Sequence, residues 1–175
     1  MTARRLVIQA DGGSRGNPGT AGYGAVVLDA VSGEVLAEVS EPIGRATNNV
    51  AEYSGLVAGL RAAGKLAPGA AAEVRMDSKL VVEQMSGRWK IKHPDLRPLA
   101  AQARQAARAL GRVTYTWVPR ERNTHADRLA NQAMDAASGR ARAPGGNGPP
   151  RGPGAARGSG AGGGGRRPSG TAGLW

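Results

Sequence analysis

Residues 9–24 read QADGGSRGNPGTAGYG. An aspartate closes an apolar run, and glycines occupy positions 12, 13, 16, 19, 22 and 24. Such a stretch fits a cradle for a nucleotide phosphate, a plain hairpin turn, or the edge of a metal site. A Walker-type cradle is excluded, because no Gly-Lys-Ser/Thr follows. The remaining choice depends on what surrounds it.

The flanking residues set the fold class. RRLVIQAD (4–11) reads as a strand ending near Asp11, and YGAVVLDA (23–30) and GEVLAEVS (33–40) read as two more, joined through the turn residues AVSG. The period then changes. In TNNVAEYSGLVAGLRAAGKLA (47–67), Tyr53, Leu56, Val57 and Leu60 recur at helical spacing, with Thr47 or Asn48 as the cap. AEVRMD (72–77) is a short strand, SKLVVEQMSG (78–87) a helix opened by Ser78, and HPDLRPLAAQARQAARAL (93–110) a helix with Leu96, Leu99, Ala103, Ala106 and Leu110 along one side. RVTYTWV (112–118) is a strand, and NTHADRLANQAMDAA (123–137) a last helix packed through Leu129, Ala130, Ala133 and Met134. The order βββ-α-β-α-α-β-α predicts an α/β fold: a five-stranded mixed sheet, three antiparallel strands first, with helices on both faces.

Composition narrows the function. The 175 residues contain no cysteine, which excludes a disulfide framework, a thiolate metal site and a cysteine nucleophile. No apolar run suits a leader or a membrane span, so a cytoplasmic protein without a membrane is expected. The net charge is +11. Residues 138–175 carry six arginines, no acid, 14 glycines and five prolines, a composition that predicts a disordered tail. It reads as a linker to a further domain, with an arginine-rich arm on nucleic acid as the alternative. Residues 1–137 are ample for one domain with its own core. They keep a charge of +5, which points towards a polyanion.

Four acids occupy awkward places. Asp11 and Asp77 end strands, Glu52 lies on the stripe of a helix that should face the sheet, and Asp127 opens the last helix. Three have ordinary explanations: Asp11 as a turn residue, Asp77 near a helix cap, and Asp127 completing a Thr-x-x-Asp capping box with Thr124. Glu52 has none, because an unpaired buried glutamate is costly. If the strands ending at Asp11 and Asp77 are neighbours, all four converge on one sheet edge. Two like charges ~4 Å apart at an effective dielectric near 20 cost about 4 kcal/mol, so protons or cations must compensate. All-oxygen ligands favour Mg²⁺ or Mn²⁺, and two such ions can hold a phosphodiester and activate a water.

Four blocks, DGGSRGNPGTAGYGAVV, TNNVAEYSGLVAGL, MDSKLVVEQMSG and VPRERNTHADRLANQA, resemble the signature blocks of type 1 ribonuclease H in order and spacing. The resemblance spans residues 5–137. It implies the ribonuclease H-like fold and metal-dependent hydrolysis of the RNA strand of an RNA–DNA hybrid, leaving 5′-phosphate and 3′-hydroxyl ends. It implies Asp11, Glu52, Asp77 and Asp127 as catalytic residues that also bind two Mg²⁺ ions, with Mn²⁺ as substitute. Nucleic-acid contacts would come from Gly13, Ser14, Asn17, Thr47, Asn48, Asn49, Ser78 and Lys79; amides and hydroxyls in the minor groove can sense 2′-hydroxyls. On this reading the glycines let the chain turn sharply after Asp11 and let Asn17 approach the hybrid. Double-stranded RNA is a second candidate substrate, and a monomer is the expected state.

The chain departs from the family pattern twice. Many relatives carry a histidine on a mobile loop about ten residues before the last aspartate, whereas His125 precedes Asp127 by only two and is expected to face solvent. Many relatives also insert a basic protrusion between the middle helices, where this chain has only GRWKIKHPDLRP. Trp89, with Arg88, Lys90 and Lys92, either forms a small basic-aromatic patch or packs under the loop. His125 and Trp89 are thus accessory candidates. A short type 1 domain before a flexible linker also resembles bifunctional actinobacterial proteins with a phosphatase-like C-terminal domain, which is not expected within these 175 residues. Two other function classes compete. One is a non-catalytic hybrid binder, disfavoured by four intact acids; the other is an ATP-using enzyme, disfavoured by the lack of a second enclosing domain.

Overall fold

The segment after Asp11 does not turn. In the computed structural model, which describes residues 4–139, strand β1 runs unbroken over Arg5–Gly16 and β2 over Gly19–Asp29. They pair antiparallel through the glycines themselves: Asp11 with Gly24, Gly12 with Tyr23, Gly13 with Gly22. The chain reverses only at residues 16–19, where Gly16 adopts φ +102°. This corrects the expected turn at Asp11. Glycine weakens a strand, but here a complete ladder with β2 holds the segment extended.

The absence of side chains serves helix packing instead. A Cβ on Gly12 would lie 2.1 Å from the Ala51 carbonyl carbon and 2.4 Å from the Glu52 nitrogen. A Cβ on Gly24 would lie 2.4 Å from the Leu129 Cβ. One helix therefore rests its backbone on β1 at Gly12. Another reaches β2 from the opposite face at Gly24.

Those helices are α1 (Asn48–Leu66) and α4 (Thr124–Gly139). Thr47 caps α1, accepting from the Val50 N–H at 3.3 Å. Tyr53, Leu56, Val57 and Leu60 are buried as their spacing predicts. Before α1 comes β3 (Val35–Ala46), reached through a turn in which Asp29 Oδ1 accepts from the N–H groups of Val31 and Ser32, both at 2.9 Å. After α1 come β4 (Ala71–Met76), α2 (Lys79–Met85), α3 (Leu96–Ala107), β5 (Val113–Trp117) and a 3₁₀ turn over Arg120–Arg122. Val74 and Met76 of β4 are fully buried.

The sheet order is β3-β2-β1-β4-β5, with β4 parallel to β1 and to β5. This is the predicted five-stranded mixed sheet and the ribonuclease H-like fold. No helix among the described residues is long and apolar enough to cross a membrane. Helix α3 starts at Leu96 rather than His93, after a turn in which the Leu96 N–H bonds the His93 carbonyl at 3.1 Å. Its buried side is Leu96, Ala100 and Ala103, with Leu99 and Ala106 partly covered. The Thr124–Asp127 capping box is also corrected: the Asp127 N–H bonds the Asn123 carbonyl at 3.0 Å, and Asn123 directly precedes the helix. The expected tail lies outside the described residues from position 140 onward.

Gly12→Ala should destabilise the chain by about 3 kcal/mol or more, because its methyl group meets helix backbone rather than a movable side chain. Gly33→Ala has open space but a φ of +74°, and should cost only about 1 kcal/mol. Urea unfolding of both variants measures the difference.

Candidate active site

Strand β1 outruns its parallel neighbour. The β1–β4 register pairs Gln9 with Arg75, and β4 ends at Met76. Two steps further along, Asp11 and Asp77 stand level where the parallel ladder stops. Asp77 follows the carboxyl end of β4 and Asp11 lies inside β1, just past the last parallel pair, at the edge where α/β sheets place their ligands.

Asp11, Glu52, Asp77 and Asp127 line one cavity of about 330 Å³, together with Gly13, Ser14 and Asn48. Each acid comes from a different element. Glu52 is delivered by α1 through the Gly12 contact, and Asp127 by the first turn of α4. Asp11 is 9% exposed. Burial, then the charge of Asp77, then a hydrogen bond with Asp127 push its carboxyl up to about 8. Burial also raises Glu52, to about 7, although the Ser78 hydroxyl donates to its Oε2 at 2.7 Å and opposes the rise.

The predicted nucleic-acid residues divide into groups. Ser14, Asn17 and Asn48 are knitted together: the Ser14 N–H donates to Asn48 Oδ1 at 2.8 Å, and the Asn48 N–H to Asn17 Oδ1 at 3.3 Å. Both asparagine oxygens are thereby occupied, while the side-chain NH₂ groups have no hydrogen bond among the described residues. Asn17, Thr47 and Asn49 line a second, smaller hollow with His93. Ser78 caps α2, accepting from the Val81 N–H at 3.3 Å, and is buried behind Glu52. Lys79 is exposed and outside the cavity.

His125 does not face solvent. Its side chain is 24% exposed, with Nε2 3.6 Å from Glu38 Oε1 of β3, and it does not line the acidic cavity. The first turn of α4 presents Asp127 to the cavity and turns His125 towards β3. Trp89 is 46% exposed and lines a shallow groove with Lys90, Lys92, Arg97 and Arg104, the arrangement of a basic-aromatic patch.

Asn123 escaped the sequence reading. It is fully buried, and its Nδ2 donates to the Ala10 carbonyl at 3.0 Å and to Asp77 Oδ1 at 2.8 Å. One amide thus ties the middle of β1 and the residue after β4 to the start of α4. A buried asparagine before a helix looks like any N-cap in the sequence. Only the tertiary contact distinguishes it. Arg120, Asn131 and Met134 also line the cavity; Asn131 Nδ2 donates to Asp127 Oδ2 at 3.3 Å.

The donor set fits a hard divalent cation: four carboxylates, with no histidine or cysteine in the cavity lining. Among the described residues, no group of three or more acids, histidines or cysteines is drawn together closely enough to enclose an ion. Burial first, and the crowded negative charge of Asp77 after it, raise the carboxyl of Asp11, a state that a proton or a cation can relieve.

The sign of the pH dependence follows. Asp11 and Glu52 hold their protons more tightly folded than unfolded, so their contribution to stability is complete below about pH 4. It is lost as pH rises through about 7 and 8. Without divalent cations, thermal unfolding should show lower stability at pH 8.5 than at pH 5.5. Asp11→Asn should flatten that decline and stabilise the pH 8.5 state by about 1 kcal/mol or more.

Comparison with known proteins identifies the family. Residues 9–133 match the family model described as reverse transcriptase-like. The bifunctional protein Rv2228c of Mycobacterium tuberculosis is 66% identical over 139 residues, covering 79% of this chain and 38% of that protein. The chain thus spans well under half the length of this relative. The solved N-terminal RNase H domain of Rv2228c aligns with a TM-score of 0.76 at 65% identity, covering 79% of this chain and 99% of that one. LC11-RNase H1, solved in complex with an RNA/DNA hybrid, aligns with a TM-score of 0.72 at 40% identity, covering 76% and 99%. With its sheet order, its acidic cavity and these relatives in agreement, the chain belongs to the type 1 ribonuclease H family and carries that family's nuclease domain.

Proposed function

We propose that this chain is an endoribonuclease that hydrolyses the RNA strand of RNA–DNA hybrids, leaving 5′-phosphate and 3′-hydroxyl ends. The observation that carries this reading is the meeting of Asp11, Glu52, Asp77 and Asp127, from four separate elements, in one cavity. That LC11-RNase H1 was solved with an RNA/DNA hybrid supports the choice of substrate.

In this reading the four acids would hold two Mg²⁺ ions, or Mn²⁺ in their place. When bound, the ions supply charge neutralisation for the phosphodiester and lower the pKa of an attacking water. The protein's own residues do the rest. Asn123 fixes the Asp77 carboxyl in one orientation, and the Ser78 hydroxyl does the same for Glu52. Gly13, Ser14, Asn17, Asn48 and Asn49 form the minor-groove face. Thr47 approaches a DNA-strand phosphate, and Lys79 and Trp89 add contacts further out. The side-chain NH₂ groups of Asn17 and Asn48 are donors suited to sugar and base-edge acceptors. The catalytic domain is 1–137, and the tail from 138 links it to a C-terminal domain in a longer protein, in keeping with the share of Rv2228c that the chain covers.

Labelled RNA–DNA, RNA–RNA and DNA–DNA duplexes, each with Mg²⁺, Mn²⁺ or EDTA, test the reading. Hybrid RNA should be cut in either metal, EDTA should abolish cutting, and duplex DNA should stay intact. Equal cutting of duplex DNA, or cutting in EDTA, contradicts it. Asp77→Asn should lower the cleavage rate at least about 100-fold while the protein stays folded.

A further inference from the structure

Helix α4 starts at the acidic cavity and runs along β2 towards the β1–β2 hairpin. Near its start, the Leu129 Cβ lies 2.4 Å from where a Cβ on Gly24 would stand; further along, the Ala133 Cβ lies 2.8 Å from one on Gly22. Met134 then rests on Gly13, its Cε 3.0 Å from a Cβ placed there. Asp135 engages Arg15, the residue before the reversal at Gly16. The last turns of α4, which ends at Gly139, therefore stand beside the end of the hairpin that carries Ser14 and Asn17.

The sequence that follows carries one sign of charge. Arginines stand at positions 140, 142, 151, 157, 166 and 167, and residues 138–175 contain no lysine and no acid. A span that only separates two domains is supplied by glycine, serine and proline, and acids serve solubility better than arginines do. Arg140 and Arg142 can complement the negative end of α4, but that effect fades within the last turn of a helix. The other four lie too far along the chain for it. What suits all six is phosphate, whose oxygens a guanidinium fork holds two at a time. The six are spread over 28 residues. At no more than about 3.3–3.6 Å per residue, that length is still enough to follow a duplex for a full turn.

We propose that the arginines of residues 140–167 form a second nucleic-acid contact, which grips the sugar–phosphate backbone of the hybrid beyond the stretch held by the catalytic domain. The inference rests on the nuclease reading above for its substrate. The end of α4 delivers the segment beside the hairpin, so the first arginines follow directly on the proposed minor-groove face. The contact is electrostatic and reads no sequence. It holds ground state and transition state alike, so its effect falls on KM and leaves kcat unchanged. It also depends on length, because a hybrid covered entirely by the domain leaves the arginines no backbone to hold.

Steady-state kinetics in Mg²⁺, and fluorescence anisotropy in EDTA, test this on the 175-residue chain. Wild type is compared with a variant combining Arg140→Gln, Arg142→Gln, Arg151→Gln, Arg157→Gln, Arg166→Gln and Arg167→Gln, and with lysine at the same six positions. The hybrids are about 8 and about 30 base pairs long, below and above one helical turn. On the long hybrid at about 50 mM salt, the glutamine variant should raise KM about 10-fold or more, with kcat within a factor of about two. Its slope of log KM against log salt should be shallower by about 2 or more, since each lost phosphate contact removes about 0.9. The lysine variant should recover much of the loss, and all three proteins should agree on the short hybrid. Equal KM and salt slope in wild type and the glutamine variant overturn the inference while leaving the nuclease reading intact. So does a change confined to kcat, or an equal loss on the short hybrid. A wild-type protein that leaves the hybrid uncut, yet binds it more tightly than the glutamine variant does, overturns the nuclease reading and keeps the arginine contact. Uncut hybrid bound equally by both overturns both.

Discussion

The approach of α1 to β1 at Gly12 sets the geometry on which the site depends. A strand and a helix ordinarily keep side chains between them. At Gly12 they do not, and the helix backbone comes within van der Waals reach of the strand next to Asp11. This seats Glu52 at the cavity. The same device on the opposite face, at Gly24, seats the first turns of α4 and with them Asp127. Two helices thus grip one antiparallel pair from both sides, and each delivers a carboxylate to the end of the parallel ladder where Asp11 and Asp77 stand.

That convergence has a thermodynamic cost which the fold does not remove. Burial and neighbouring charge raise Asp11 and Glu52 far above ordinary carboxyls. Asn123 and Ser78 orient single carboxylates without neutralising them. The proteins that tolerate such a cluster use it for function, because apolar residues would stabilise the same space better. The cavity therefore carries negative charge that protons or divalent cations would compensate, which is what the proposed nuclease reading requires.

Most of the architecture was legible in the sequence, for identifiable reasons. Tyr53, Leu56, Val57 and Leu60 recur at helical spacing because α1 covers the sheet along one stripe, and Val74 and Met76 alternate because β4 is buried on one face. The acids stood out because Asp11 and Asp77 follow apolar strand runs, Asp127 opens a helix and Glu52 lies on an apolar stripe, although β1 in fact continues past Asp11 to Gly16. The glycine segment was misread. Glycine favours both turns and close approach of backbones, and only the partner surfaces of Ala51 and Leu129 separate the two. Asn123 and the inward turn of His125 were hidden for a related reason. Asn123 bonds residues 46 and 113 positions away, and His125 depends on which side of the first turn of α4 meets β3.

The most direct test is a crystal of the protein grown with an RNA–DNA hybrid and Mn²⁺, under conditions that slow cleavage. Anomalous scattering should place manganese among the carboxylates of Asp11, Glu52, Asp77 and Asp127, beside a phosphate of the RNA strand. Manganese absent from that cavity, or a hybrid bound on a surface remote from it, would contradict a metal-dependent nuclease built on these four acids.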